Sequence, residues 1–423
     1  MLDLKAIRED PDAFRRGLAR RSPELAADLD RVLELDRRRR ELTATVDELR
    51  AEQNRGSKAV GRASGSERDR LIASVREASD RLADVEPQLA VVEDELRRVL
   101  DRLPNVPHES VPEGETDEDN QLLEEVGDRP SLGFEPRDHV DLGETLGVIA
   151  LERAARVSGS RFAYLLGGAV MLQFALVRYC LGRLAPKGFV PVVPPVMVRE
   201  EALYGTGFFP TDEASIYATR DDDLYLVGTS EVPLAGLHGD EILDPGTLPR
   251  RYVGYSTCFR REAGAHGKDT RGVFRVHQFD KVEMFSFTEP ERSWEEHEFL
   301  RSCEEELIQG LEIPYRVMNV CTGELGASAA KKYDIEAWLP GQDRYRELTS
   351  CSNTTDYQAR RLGIRVRYPD GNRAAHTLNG TACAVGRTLI ALLENRQQED
   401  GSVPLPEALH PYLPEEHRVL RPD

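Results

Sequence analysis

Cysteine is scarce and unpatterned: six residues in 423, at 180, 258, 303, 321, 351 and 383, with no CxxC pair. A zinc ribbon and a disulfide scaffold are excluded, and a reducing cytoplasm is expected. Long apolar runs are missing too. The longest, 165–177, falls short of the roughly 20 residues of a membrane span and is interrupted by Gln173. Residues 1–10 lack the apolar stretch of a secretory signal, so no membrane association is expected. No GxxxxGK[ST] loop and no GxGxxG turn is present, so the common nucleotide folds are not indicated. Positive charge is also in deficit, with 56 Lys and Arg against 75 Asp and Glu, a net charge of −19. As an average, that argues against a nucleic-acid partner. The average conceals different parts.

What is present begins with a heptad. Apolar residues fall at Leu71, Val75, Ala78, Leu82, Val85, Leu89, Val92, Leu96, Val99 and Leu103, in alternating steps of 4 and 3. A shorter version runs through Leu35, Leu42, Val46 and Leu49. Between them, residues 54–66 hold three glycines, which predicts a chain reversal. The pattern predicts an antiparallel two-helix coiled-coil arm from about residue 29 to 103. Pro87 falls inside the second helix and predicts a kink. Residues 31–103 carry 16 basic and 16 acidic side chains, but 37–62 has eight basic and four acidic ones. A dimerisation coiled coil and a phosphate-tracking arm both fit this pattern.

Residues 104–128 contain three prolines, nine acidic residues and no Lys or Arg. They read as an exposed acidic linker between an N-terminal domain, 1–103, and a larger domain, 129–423. In the larger domain, β-rich runs at 188–194, 223–228 and 281–287 alternate with helical stretches at 169–184, 292–311 and 387–396. The fold class expected is α+β, with a mainly antiparallel β-sheet flanked by helices.

The densest chemistry is Cys-Phe-Arg-Arg-Glu at 258–262, then a Gly-rich basic loop with His266, Lys268, Asp269 and Arg271, then a second β-like run to Glu283. Phe-Arg-Arg-Glu at 259–262 resembles motif 2 of the class II aminoacyl-tRNA synthetases. Gly-Thr-Ala-Cys-Ala-Val-Gly-Arg at 380–387 resembles motif 3, and Gly-Phe-Val-Pro-Val-Val-Pro-Pro at 188–195 resembles motif 1. Thr-Ser-Glu at 229–231, Arg-Glu-Leu-Thr-Ser-Cys-Ser at 346–352, Thr-Gly-Phe-Phe-Pro-Thr-Asp at 206–212 and the arm narrow the resemblance to the bacterial seryl-tRNA synthetases. It covers essentially the whole length.

The resemblance implies a class II synthetase catalytic domain that activates L-serine with ATP and Mg²⁺. The seryl group then passes to tRNA(Ser), and to tRNA(Sec) where present. A homodimer built on the motif 1 element is implied as well. Arg260 is implied to bind the α-phosphate and the serine carboxylate, and Glu262 the adenine amino group. Phe279 would stack on adenine, and Arg387 would hold the terminal phosphates or stack over the other adenine face. Arg261, Val276, Leu348 and Thr349 complete the implied nucleotide site, while Glu347 and Ser350 hold the metal. Thr229, Ser230, Glu231, Glu283 and Thr381 are the implied serine pocket, with Arg260. A pocket built around a hydroxyl rejects analogues lacking one. For the tRNA, the expected contacts are Arg37, Arg38, Arg39, Arg40, Arg50, Arg55 and Lys58 on the arm, and Lys268 and Arg271 in the loop.

Two positions depart from the family pattern, Arg396 and Cys383. Three other readings stay open. One is an amino-acid:carrier-protein ligase or a specialised-pathway duplicate. Another is a non-catalytic coiled-coil paralogue. The last is a zinc-dependent variant using Cys258, Cys351 and Cys383.

Overall fold

A computed structural model describes residues 1–263, 269 and 271–422. The chain divides into two compact units, one spanning Leu2–Pro104 and the other Asn105–Asp423 with Met1.

The N-terminal unit is dominated by two long helices, α1 (Leu25–Val60) and α2 (Gly65–Arg102), preceded by two short ones. The heptad governs their packing. Ala78, Leu82, Leu96 and Leu103 are buried, and Leu71, Val75, Val85, Leu89, Val92 and Val99 are half-buried. Val46 and Leu49 of α1 pack on Leu82 of α2. Arg31 reaches Glu95 at 2.6 Å and Arg50 reaches Glu86 at 2.8 Å, so the helices run antiparallel. The reversal is shorter than expected. α1 continues through Gly56 to Val60, and only residues 61–64 turn. Gly56 lies against α2, where a Cβ would stand 2.6 Å from Val75 Cγ2. This glycine therefore serves close helix approach, not chain reversal. α2 runs through Pro87 without ending there.

The basic cluster divides in two. Asp36 is fully buried and accepts from Arg8 at 3.3 Å, Arg39 at 2.9 Å and Arg40 at 3.1 Å. Burial alone would raise its pKa; hydrogen bonds from Arg39 and Arg8 outweigh this and lower it. Arg39, Arg40 and Arg50 are thus engaged within the hairpin. Arg37, Arg38, Arg55 and Lys58 are exposed, and among the described residues they form no ion pair.

The second unit is built on an eight-stranded sheet. Its strands are β1 (Gln121–Val126), β2 (Phe189–Val192), β3 (Arg250–Phe259), β4 (Gln278–Thr288), β5 (Tyr315–Asn319), β6 (Lys331–Leu339), β7 (Arg344–Asn353) and β8 (His376–Ala384). The spatial order is β1-β5-β6-β7-β8-β4-β3-β2, antiparallel throughout except for the β2–β3 edge pair. β4 is buried on both faces from Lys281 to Thr288, as a central strand requires. The helices that bear on the site are α3 (Gly168–Leu184), α4 (Glu231–Gly236), α5 (Ser293–Gly310), α6 (Tyr357–Arg361) and α7 (Val385–Arg396). α3 and α7 pack on each other, and α5 packs on β7 and β8. The stretch Gly168–Lys187 is apolar and long enough for a membrane span, but half of it is buried. Ala169, Leu172, Leu176, Tyr179 and Leu184 of α3 belong to the main core.

Residues 104–128 are not the linker expected. Asn105 donates to the carbonyls of Ser328 and Thr354 at 2.9 and 2.8 Å. Val111 is buried with Val320, Leu325 and Ala329, and β1 pairs with β5 as the sheet edge. Two of the acidic residues, Glu124 and Glu125, are exposed on that edge strand, where charge blocks unwanted pairing.

The Asp36 cluster yields a stability prediction. Asp36→Asn should destabilise the full-length protein by about 2 kcal/mol in urea unfolding followed by helical circular dichroism. A carboxylate with a lowered folded pKa gives stability present above its unfolded value, about 3.9, and lost as pH falls. The wild-type advantage should therefore shrink below about pH 4. An advantage unchanged at low pH would count against the assigned role.

Candidate active site

The site is assembled where the sheet ladder fails. β7 carries a one-residue bulge: Ile335 faces Thr349 and Glu336 faces Glu347, leaving Leu348 unmatched. β8 carries another, since Val282 faces Cys383 and Glu283 faces Thr381, leaving Ala382 unmatched. β7 and β8 pair with each other only from Cys351–Gly380 to Asn353–Leu378. Bulges bend strands and re-aim side chains. Here they open a cleft between strands that would otherwise be zipped together.

The cavity encloses about 830 Å³ including its mouth. Arg260, Glu262, Val276, Phe279, Glu347, Leu348, Thr349, Ser350, Thr381 and Arg387 line it, together with Val273, Phe274, Arg275, Lys281, Ala384 and Gly386. Residues from three separate sequence motifs thus converge. The Arg260 guanidinium follows β3. Its Nε donates to the Gly228 carbonyl at 3.1 Å, and its centre lies 5.3 Å from the Phe279 ring. Glu262 has φ of 51°, a left-handed conformation that a glutamate adopts only under constraint. Its carboxylate accepts from Arg275 at 2.7 Å.

Arg387 enters from the first turn of α7, where a helix start favours anions. Its Nη1 donates to the Glu347 carbonyl at 3.0 Å and lies 3.3 Å from the Glu347 carboxylate. The guanidinium stands 4.7 Å from the Phe274 ring. Burial would raise the Glu347 pKa; Arg387, Lys332 and Arg260 outweigh it and bring it down to about 2. Glu347 is an ionised oxygen donor beside the Ser350 hydroxyl. That pairing suits Mg²⁺, which takes one or two carboxylates and completes its shell with substrate phosphate and water. Among the described residues, no group of three His, Cys, Asp or Glu side chains is placed to hold a metal unaided. Cys258, Cys351 and Cys383, the ligands of the zinc alternative, are therefore not gathered into such a group.

One layer deeper lies a polar floor. Glu283 is buried, its carboxylate 2.5 Å from Lys281 Nζ, and Thr381 Oγ1 donates to it at 3.4 Å. Glu231, at the start of α4, accepts from Gln358 of α6 at 2.7 Å and from Asn379 of β8 at 2.9 Å. Thr229 Oγ1 accepts from the Glu231 backbone N–H at 3.2 Å. Burial, reinforced by Glu283, pushes Glu231 up to about 7, against the opposing pull of Gln358, Lys281 and Arg260. Glu231 and Glu347 are thereby set apart in acidity.

Three expected residues lie elsewhere. Ser230 is fully buried, 2.7 Å from the Ser256 hydroxyl. Arg261 is exposed and lines a separate hollow with Phe209, Glu213 and Tyr217, because the turn after Arg260 sends it to the opposite side. Arg271 forms ion pairs with Asp138 and Asp141. Lys268 and His266 lie outside the described residues. The departures are accommodated: Cys383 donates to the Thr388 hydroxyl at 3.3 Å, and Arg396 pairs with Glu312 at 2.7 Å.

Lys281, Arg275, Gln358 and Asn379 escaped the sequence reading. Lys281 and Glu283 are two apart on one strand, so a period of two places them on one face. That signal was present and unused. Gln358 had none, because it arrives from a helix remote in sequence.

The arrangement matches known families. Residues 1–107 match the seryl-tRNA synthetase N-terminal domain. Residues 215–396 match the tRNA synthetase class II core domain (G, H, P, S and T). The serine–tRNA ligase of Thermobifida fusca is 49% identical, covering 100% of this chain and 99% of its own. That of Rubrobacter xylanophilus is 51% identical over 98% of each. Among solved structures, seryl-tRNA synthetase from Pyrococcus horikoshii complexed with ATP superposes with a TM-score of 0.94 at 46% identity, over the full length of both chains. The cytoplasmic serine–tRNA ligase of Naegleria fowleri in complex with AMP gives 0.87 at 36% identity, over 97% of each. With both its domains and its whole length accounted for, the chain belongs to the seryl-tRNA synthetase family.

Proposed function

We propose that the protein is a serine–tRNA ligase, which activates L-serine with ATP and transfers the seryl group to tRNA(Ser). The observation that carries the reading is a cavity with Arg260 and Arg387 at its cationic end, whose Lys281 and Thr381 contact the buried Glu283, in a chain matched to serine–tRNA ligases from end to end.

In the first step the serine carboxylate attacks the α-phosphate of ATP and pyrophosphate leaves. Both reactants are anions, so the site must neutralise charge and hold them in line; no protein nucleophile is needed. Arg260 spans the junction and contacts the α-phosphate and the carboxylate together, as a fork-shaped guanidinium can. Arg387 faces the terminal phosphates. Phe279 offers a ring face to adenine, and Glu262 accepts from its amino group once Arg275 yields. Glu347 and Ser350 hold Mg²⁺, which when bound offsets phosphate charge. Glu231 and Glu283 receive the serine ammonium and hydroxyl, with Thr229 and Thr381 beside them. Lys281 keeps Glu283 oriented.

In the second step the seryl group passes to the terminal ribose of the tRNA. The exposed Arg37, Arg38, Arg55 and Lys58 support backbone contacts from the helical hairpin, read by shape and charge. Two copies of the chain assemble through the motif 1 region. The exposed apolar side chains of Phe174, Val190, Val193 and Met197 there support this. Six unpaired buried cysteines fit work in the cytoplasm, away from a membrane.

Serine-dependent ATP–pyrophosphate exchange tests the proposal. Exchange should be strong with serine and at least about 100-fold weaker with alanine, whose missing hydroxyl leaves the polar floor unpaired. No serine-dependent exchange, or equal exchange with alanine, would sink it. Glu231 adds a pH signature. At pH 6 it is mostly protonated and at pH 8 mostly ionised, and an ammonium prefers the ion. The KM for serine should fall roughly tenfold over that range, and Glu231→Gln should flatten the profile. A raised folded pKa also means that stability is lost as pH rises through about 7, so the empty enzyme should melt lower at pH 8. Replacing Arg37 and Arg38 together by Ala should raise the KM for tRNA by about tenfold and reduce its salt dependence. Exchange should be untouched; unaltered charging would show that these two side chains do not meet tRNA.

A further inference from the structure

The strands carrying Ser350 and Thr381 part just beyond the Cys351–Gly380 pair, and the cavity opens in the gap. A carboxyl group from a third element sits at that fork. Glu304, on α5, is fully buried. Its Oε2 accepts from the Thr349 hydroxyl of β7 at 3.3 Å. The Thr381 backbone N–H of β8 faces the same carboxyl. Its Oε1 has no hydrogen-bond partner among the described atoms. That oxygen lies against the bare Cα of Gly380, where a Cβ would stand 3.1 Å from it. A side chain at 380 would therefore press on the carboxyl and force it to shift by a few tenths of an ångström.

A buried polar atom without a partner is costly and rare. The one here is aimed at the place where the two strands diverge. Alternation along the strands turns Glu283 and Thr381 toward the pocket, and Met284 and Gly380 toward Glu304. Glu304 thus does not line the cavity itself but reaches it through Thr349 and the Thr381 backbone.

We infer that Glu304 is a positioning residue that fixes the spacing of β7 and β8 at the fork, and so the fit of the pocket to its amino acid. The inference rests on the serine-activating reading above. Burial, with Glu283 and Asp334 nearby, pushes Glu304 well above the usual carboxylate range, so it acts as a neutral acid. An amide of the same shape can replace a neutral acid; a methyl cannot.

The test measures serine KM and ATP KM in pyrophosphate exchange on full-length protein. Glu304→Gln should keep serine KM within about threefold of wild type. Glu304→Ala should raise it about tenfold with ATP KM changed less than about twofold. Thr349→Val should raise serine KM as well, and add little on top of Glu304→Ala, because the two act as partners. An unchanged serine KM in Glu304→Ala overturns the inference. So do equal rises in both KM values, or a Gln variant no better than Ala. If the Ala variant does not fold, the other two decide: loss in Glu304→Gln, or no change in Thr349→Val, overturns it. Wild-type protein silent with serine overturns the functional reading and this inference with it. Every other outcome bears on Glu304 alone.

Discussion

The site depends on an interrupted ladder. β7 and β8 are neighbours in the middle of the sheet, yet they share only three residue pairs, Cys351–Gly380, Ser352–Asn379 and Asn353–Leu378. Had pairing continued, Ser350 and Thr381 would face each other across a closed ladder with no space between the strands. The bulges at Leu348 and Ala382 prevent that closure. The backbone groups freed by the gap must find other partners, because buried N–H and C=O groups are rarely left alone. Two such replacements are visible: Arg387 donates to the Glu347 carbonyl, and Glu304 meets the Thr381 N–H. The opening is therefore held apart by side chains from α5 and α7.

Charge is distributed around that opening with the same economy. Three carboxyl groups lie within one electrostatic neighbourhood, and their surroundings separate them widely. Glu347 sits near 2 because Arg387, Lys332 and Arg260 overcome its burial. Glu231 sits near 7 because burial, reinforced by Glu283, outweighs the pull of Gln358, Lys281 and Arg260. Glu304, with burial and like charges dominant, is raised well above the usual carboxylate range. Similar residues thus present an ion, a titratable group and a neutral acid. Arg260 acts on both of the first two, so one guanidinium lowers the pKa of each.

Much of this was legible in the sequence. The heptad specified the hairpin because its burial pattern has a fixed period. The motif residues converged because short strings near strand ends and helix starts keep their local geometry wherever the sheet places them. What was not legible required tertiary partners. Residues 104–128 have the composition of a linker, but an edge strand, the buried Val111 and the hydrogen bonds of Asn105 tie them to the catalytic unit. Gly56 read as a turn residue, and Val75 on the facing helix explains it better. Glu304 was hidden for a different reason. A glutamate in Cys-Glu-Glu-Glu on an amphipathic helix looks like surface charge, and only the facing fork shows that this one of the three points inward.

The hairpin makes the same point about counting charges. Of the seven basic residues first assigned to RNA there, Arg39 and Arg40 satisfy the buried Asp36, and Arg50 bridges to α2. A cation committed to a buried carboxylate cannot leave without stranding it, so it contributes little to a polyanion. A cation on an exposed ion pair can exchange partners at small cost. Arg50 therefore remains available in a way that Arg39 does not. The useful positive surface of the hairpin is set by which carboxylates are buried, and the net charge of −19 carries no information about it.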